Sequence, residues 1–359
     1  MPQIVVEEDR VLRLIQVILD PQAGPERVAA FADYNATDLP DFHGWLAQLR
    51  DELGALYPAS VRLVNSQEEL LRHLPESDAA IVESFTVGEA ELALAPRLKL
   101  VQKFGTVADN VDADACARRG VAFRTLRRRT NIAMGEHTMM LVLALAKRLP
   151  LIDGLVTTQR LADAGRPFRP YDSRHTAKAN FGRIPGLRTL HGATLGLLGF
   201  GEIAREVALK ARAFGMRVLY HKRNPLTRAE EARFGVEYRG FEALFAQSEW
   251  LSIHVPMGED TRGLVNAAAF AHMQPGAQLV NTSRAEIVDH DALVVALRAG
   301  TLSGAALDVL YQEPANEDEV LLSMDNLILT PHLGGASRLN GLNDAREALL
   351  GIAEHLRHT

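Results

Sequence analysis

Residues 195–198 form a short apolar run that passes at once into Gly199-Phe200-Gly201-Glu202-Ile203-Ala204 and then into a helical pattern ending near Gly215. Glycine at 199 permits a tight turn, Gly201 leaves backbone N–H groups open to a close ligand, and the small Ala204 lets helix and strand pack together. Strand, glycine turn and helix in that order aim the unsatisfied N–H groups of a helix N-terminus at an anion, the arrangement that holds a dinucleotide pyrophosphate. In isolation the same residues would serve equally as packing glycines. Their place inside a repeating strand-and-helix series makes them a cofactor motif.

That series runs along most of the chain. The 359 residues exceed what one hydrophobic core usually organises, so two domains are expected. β-rich runs at 14–19, 61–64, 79–82, 98–102 and 121–123 alternate with helical patterns, which implies a parallel sheet with crossover helices. A longer helix is expected over 131–149, with Glu136 and His137 in its early turns and an apolar surface that calls for burial. Residues 164–192, rich in Arg, Gly and Pro, read as a connector. A second α/β series follows, with strands expected at 194–198, 217–220, 250–255, 277–281, 303–309 and 327–329.

A hydrophobic content of 47% supplies a sizeable core, and a formal charge of −6 argues against broad nucleic-acid binding. The single cysteine, Cys116, cannot close an intramolecular disulfide, and no CxxC or Cys/His cluster suggests a metal; a reducing cytoplasm fits. Glu7, Glu8 and Asp9 stand where a signal peptide would be basic, so none is expected. The apolar stretch 139–146 is too short to span a bilayer and ends in Lys147 and Arg148.

A site selective for NAD carries a carboxylate roughly 20 positions past the glycine motif, at the end of the second strand, to hold the ribose 2′-hydroxyl. Here that strand ends Tyr220-His221-Lys222-Arg223-Asn224-Pro225, without one. Arg223 can form charge-assisted hydrogen bonds with a 2′-phosphate and Lys222 adds positive potential, so NADP(H) is the expected cofactor, without excluding NAD(H). The plainer alternative is an exposed basic loop.

Three ionisable residues follow expected strands: Arg284 after Asn281-Thr282-Ser283, Glu313 after Asp308-Val309, and His332 after Thr330-Pro331. Open α/β sheets present their ligand crevice at those ends. Reducing a 2-oxo acid requires a cation for its carboxylate and an acid for its carbonyl oxygen. Arg284 offers a planar fork for the first task, His332 serves the second, and Glu313 within reach of the imidazole would orient it and favour its charged form. Taken singly, each also has a plain structural use: a helix-start surface arginine, a turn glutamate before Pro314, a histidine bonded to backbone.

The words around these residues resemble the D-isomer-specific 2-hydroxyacid dehydrogenase family over roughly residues 98–337. Matching segments are Leu251-Ser252-Ile253-His254-Val255-Pro256 with Thr261 and Gly263-Leu264-Val265-Asn266, Met273-Gln274-Pro275-Gly276-Ala277, and Gly304-Ala305-Ala306-Leu307-Asp308-Val309 with Glu313-Pro314. They close with Thr330-Pro331-His332-Leu333-Gly334-Gly335. The resemblance implies catalytic positions at Arg284, Glu313 and His332. It also implies a dinucleotide pocket lined by His254, Val255, Pro256, Thr261, Thr282, Ser283, Asp308 and Gly334 besides the glycine turn, and a substrate loop at Gly105, Thr106 and Val107. It implies two Rossmann-like or flavodoxin-like domains of parallel strands. The nucleotide domain (131–330) is inserted in a discontinuous substrate domain (1–130 and 331–359), and the protein is expected to be a homodimer acting on a small 2-oxo or 2-hydroxy acid. The cofactor loop looks most like that of NADP-using glyoxylate and hydroxypyruvate reductases.

The chain also departs from the family. Val107 replaces a usual glycine, Ala285 follows Arg284 where glycine is usual, and Arg127-Arg128-Arg129 stands where a Pro-Gly turn is frequent. The arginine run would be either an ion-paired loop or a subsite for a second substrate anion. Formate or phosphite oxidation on the same scaffold, and a dinucleotide sensor of the corepressor kind, are the rival functions.

Overall fold

The computed structural model describes residues 1–335 and 337–357, which form two compact units. Met1–Ala133 joins with the segment from Gly335 onward in the first unit, and Met134–Gly334 makes the second, inserted within it in chain order.

The first unit carries a five-stranded parallel sheet, β1 (Gln3–Glu7), β2 (Ser60–Val64), β3 (Ala79–Val82), β4 (Leu100–Lys103) and β5 (Ala122–Arg124), in the order β2-β1-β3-β4-β5. Its central strands are apolar on both faces. Ile4, Val6, Ala79 and Ile81 enter one core cluster, while Val5, Ala80 and Val82 enter another on the opposite side. A parallel sheet covered by helices on both faces has no solvent-facing alternation, which is why these strands read as continuous apolar runs.

Residues 14–19, expected as a strand, are the helix Arg13–Leu19. Leu14, Ile15, Val17, Ile18 and Leu19 are buried and Gln16 is not, a spacing that puts all five against the core. A six-residue apolar run fits either a buried strand or a buried helix. Its N-cap, Leu12, has no side-chain cap; Asp9 closes the turn that precedes the helix, its carboxylate accepting from Val11 N at 2.7 Å. The first strand of the unit is β1, just upstream, and runs into the acidic residues.

The second unit carries a seven-stranded parallel sheet: β6 (Thr194–Leu198), β7 (Arg217–His221), β8 (Val236–Tyr238), β9 (Trp250–Ile253), β10 (Ala277–Asn281), β11 (Leu302–Leu307) and β12 (Leu327–Leu329). Their order is β12-β11-β10-β9-β6-β7-β8. The edge strand β8, three residues long, was not expected from the sequence. After β8 the chain crosses back to the other side of β6, so the direction of winding reverses between β6 and β9. Ligands of open α/β sheets bind outside the carboxyl ends of the strands at that reversal.

The helix Arg129–Lys147 leads from one unit into the other. Within the first unit its opening N–H groups, those of Arg129 and Thr130, donate to the buried carboxylate of Asp344 at 2.8 and 3.2 Å. Beyond Asp163 no regular element occurs until Thr194, where a connector was expected. Among the described residues, no helix is long and apolar enough to cross a membrane.

Candidate active site at the carboxyl edge of the seven-stranded sheet

Gly199 and His254 follow β6 and β9, at the reversal of the sheet. Gly199 has φ of 95°, and a Cβ there would stand 2.5 Å from the His254 carbonyl oxygen, so no side chain fits the turn. Gly201 is the N-cap of the helix Glu202–Ala213, and among the described residues no side chain caps it and none fills the space where a Cβ would be. An anion can therefore approach the first turn, which holds Glu202 and Ile203. The Phe200 side chain is buried between Tyr220 and Phe234, with ring centroids at 4.9 and 5.7 Å, so only its backbone can face a ligand. An uncapped helix N-terminus behind a glycine cradle suits a dinucleotide pyrophosphate.

At the end of β7, His221 Nδ1 bonds the Arg239 carbonyl at 2.9 Å and no carboxylate occupies the strand end. Lys222 is half-buried, and Arg223 and Asn224 are exposed. Arg223 stands 3.9 Å from Asp260, both side chains more than four-fifths exposed (86% and 83%), a contact too loose and too solvated to hold the guanidinium.

The loop after β9 is internally tied. The Thr261 hydroxyl donates to Pro256 O at 2.7 Å and accepts from Gly258 N at 2.8 Å, and Val255 O accepts from the Ser283 hydroxyl at 2.6 Å. His254 is buried with Nε2 2.9 Å from the Ser252 hydroxyl, and burial pushes its imidazole down to about 4, so it is neutral at physiological pH.

Arg284, Glu313 and His332 follow three neighbouring strands, β10, β11 and β12. The backbone of Arg284 is pinned by Asn281, whose Nδ2 donates to its carbonyl at 2.9 Å, and its exposed guanidinium donates to Ser283 O at 2.7 Å. Ala285 is buried without a positive φ, which explains why alanine is accepted where glycine is usual. Thr282 is buried with its hydroxyl 3.2 Å from that of Thr138. Glu313 accepts from Leu310 N at 2.9 Å with one oxygen and lies 2.8 Å from His332 Nδ1 with the other. Burial works against its charge, but the bonds from His332 and Leu310 N hold its carboxyl below the usual range. The carboxylate accepts, so Nδ1 of His332 carries the proton and Nε2 remains for a substrate.

Asp308, fully buried at the end of β11, accepts from Leu333 N at 2.8 Å, Gly334 N at 2.7 Å and the Thr330 hydroxyl at 2.5 Å, and lies 3.1 Å from His137 Nε2. Burial alone would raise its carboxyl; the bonds from His137, Thr330 and the two backbone groups bring it down to about 2. A Cβ on Gly334 would meet Met134 Sδ at 2.7 Å and Asp308 Oδ2 at 3.0 Å. In the sequence, His137 stands out only as an early-turn residue of its helix.

Gly105, Thr106 and Val107 lie at the carboxyl end of β4 in the first unit, with Gly105 buried, Thr106 exposed and Gly105 O accepting from Leu126 N at 2.9 Å. Of the arginine run, Arg128 pairs with Glu83 at 2.8 Å and lies over the Phe104 ring at 4.6 Å, and Arg129 pairs with Glu347 at 2.6 Å. These two guanidinium groups serve the first unit's own carboxylates, which favours the ion-paired reading.

The fold and the glycine turn define a doubly wound α/β protein of the dinucleotide-binding class. Residues 139–334 match the family model described as D-isomer specific 2-hydroxyacid dehydrogenase, NAD binding domain. A glyoxylate reductase from Pyrococcus furiosus is 33% identical over 79% of this chain and 79% of its own length. A D-3-phosphoglycerate dehydrogenase from Archaeoglobus fulgidus is 34% identical over 77% of this chain, which spans about half (49%) of that relative's length. Among solved structures, a Granulicella formate dehydrogenase is 28% identical with a TM-score of 0.51, covering 86% of this chain and 77% of that one. The chain belongs to the D-isomer-specific 2-hydroxyacid dehydrogenase family.

Proposed function

We propose that this protein reduces a small 2-oxo acid of the glyoxylate or hydroxypyruvate kind to the 2-hydroxy acid, using NADPH in preference to NADH, and catalyses the reverse oxidation. The observation that carries this reading is the 2.8 Å bond between His332 Nδ1 and Glu313 on a half-exposed imidazole (48%). A ring fixed at one nitrogen and open at the other is what a proton donor to a carbonyl oxygen requires. Arg284 binds the substrate carboxylate and draws electron density from the adjacent carbonyl. His332 Nε2 delivers a proton to the carbonyl oxygen and takes it back in the reverse direction, while Glu313 keeps the ring oriented. The N–H groups of the Gly201–Ile203 turn would hold the pyrophosphate, and Lys222, Arg223 and Asn224 the 2′-phosphate. The reduced nicotinamide, when bound, supplies the hydride that reaches C2.

We also infer a homodimer. Met140, Leu149 and Phe214 leave 45%, 51% and 44% of their surface exposed around one apolar groove of the second unit, and such a patch is costly to leave in water.

The test is NADPH and NADH oxidation against glyoxylate, hydroxypyruvate, a phosphorylated 2-oxo acid and a dicarboxylic one, with formate and phosphite oxidation run alongside. Turnover with a simple 2-oxo acid is expected. Tight dinucleotide binding with no turnover of any acid would instead identify a sensor, and turnover of formate or phosphite alone would assign the rival chemistry.

A further inference from the structure

His332 stands in a backbone conformation that its side chain disfavours. Its φ of 55° lies in the left-handed region, and it is one of four non-glycine residues with positive φ among those described. Asp308 holds the chain on both sides of it. The carboxylate takes the Thr330 hydroxyl two residues before and the Leu333 and Gly334 N–H groups immediately after. The peptide plane after His332 is thus hung on one buried carboxylate, and the plane before it on Thr330, whose carbonyl accepts from His332 N at 2.9 Å and whose hydroxyl donates to that same carboxylate, so the direction of the imidazole depends on how the carboxylate is turned.

His137 lies against that carboxylate. Its Nε2 lies 3.1 Å from Asp308 Oδ1 and 3.5 Å from the Thr330 hydroxyl, and the imidazole is nearly buried (11% exposed). Residues 134, 137 and 138 occupy one face of the helix Arg129–Lys147. Met134 abuts Gly334, His137 meets Asp308, and Thr138 meets Thr282, so this face touches the exits of β10, β11 and β12. Packing at Met134 and Thr138 fixes the helix, and His137 is the member of the face that faces a charge.

We propose that His137 is a positioning residue for His332. Donation from its Nε2 keeps the Asp308 carboxylate turned toward the Leu333 and Gly334 N–H groups. That holds His332 in the left-handed conformation in which Nδ1 meets Glu313. The kinetic consequence rests on the reading of His332 as acid and base; the conformational claim does not.

Three variants of the full-length protein test it: His137→Phe keeps bulk without a donor, His137→Asn is too short to reach, and His137→Gln restores a donor at similar reach. With NADPH and glyoxylate, the Phe and Asn variants are expected to lose about 30-fold in kcat while KM and the NADPH Kd stay within about 3-fold, the signature of an interaction felt in the transition state. The hydrogen-bonded Nδ1–H proton resonance of His332, assigned by its disappearance in His332→Ala, is expected to vanish in both and to return in the Gln variant with kcat within about 5-fold of wild type. A Phe or Asn variant that keeps kcat and the resonance overturns the proposal. So does a folded Gln variant as impaired as the other two, because the imidazole would then only fill space. If His332→Ala itself keeps turnover, the acid/base reading falls, and the resonance alone decides the positioning claim.

Discussion

At the carboxyl end of the five-stranded sheet the chain fills its own crevice, whereas at the end of the seven-stranded sheet it leaves a helix N-terminus uncapped and three polar side chains facing water. In the first, the winding reverses between β1 and β3, and the Glu7 carboxylate sits there. It accepts from the backbone N–H of Glu83 and Ser84 at 2.7 Å and of Phe85 at 3.0 Å, and from the Ser84 hydroxyl. Those N–H groups would otherwise make an anion site. Arg128 and Lys103 are likewise bound to Glu83, the guanidinium to its carboxylate and the ammonium to its carbonyl. In the second, no side chain among the described residues caps Gly201, and the exposed Arg284 and His332 keep donor atoms for a ligand. An edge satisfied internally is stiff and closed, and an edge that binds must leave donors for its ligand to satisfy.

The largest effect should come from the open edge. His332→Ala is expected to lower kcat by about 10³-fold with NADPH affinity changed no more than about 3-fold. A loss below about tenfold would mean that another group supplies the proton. Next comes the closed edge: Glu7→Ala strands three backbone donors and should lower unfolding stability by about 3 kcal/mol in urea, with Glu7→Gln milder. An unchanged unfolding midpoint would show that water reaches those groups, and the contrast between the edges would weaken.

A smaller effect separates cofactors. Arg223→Ala should weaken NADPH about tenfold and NADH less than about twofold; equal losses for the two would remove the 2′-phosphate role.

The smallest concerns pH. Glu83 is pushed up to about 7, by burial first and by the neighbouring Asp9, against the pull of Arg128. A carboxyl raised in the folded state stabilises below its ordinary range and loses that contribution as pH rises through about 7. Since 37% of the side chain stays exposed, solvent tempers the effect. The melting temperature is expected to fall by about 2 °C between pH 5 and 8, and Glu83→Gln should flatten that slope. Asp308 has the opposite sign. Held at about 2, it stabilises above the ordinary carboxylate range, and the contribution is lost as pH falls toward 2. A melting temperature as sensitive to alkali in Glu83→Gln as in wild type would assign the slope to another group.

Much of the second unit was readable from its residues. β6, β10 and β12 begin and end where the apolar runs do, and Gly199 announced a turn that the His254 carbonyl leaves no other residue room to make. The first unit was harder. Residues 4–6 and 14–19 are both short apolar runs, and periodicity cannot tell a buried strand from a buried helix at that length. The acidic residues between them speak in the sequence only against a signal peptide, yet Glu7 plugs the sheet and Asp9 closes the turn before the helix.

By itself, the sequence determined the parallel α/β class, the glycine turn, and which ionisable residues follow β10, β11 and β12. Each of those depends on neighbours along the chain: a glycine where φ is positive or space is missing, an apolar run where both faces are covered. Only the tertiary structure decided where buried charges find their partners. Glu7 takes the N–H groups of residues 83–85, Arg129 and Thr130 take Asp344, and Asp308 takes His137. A buried charge must be paired, but which group pairs with it depends on what the fold brings near, across separations that no local pattern spans.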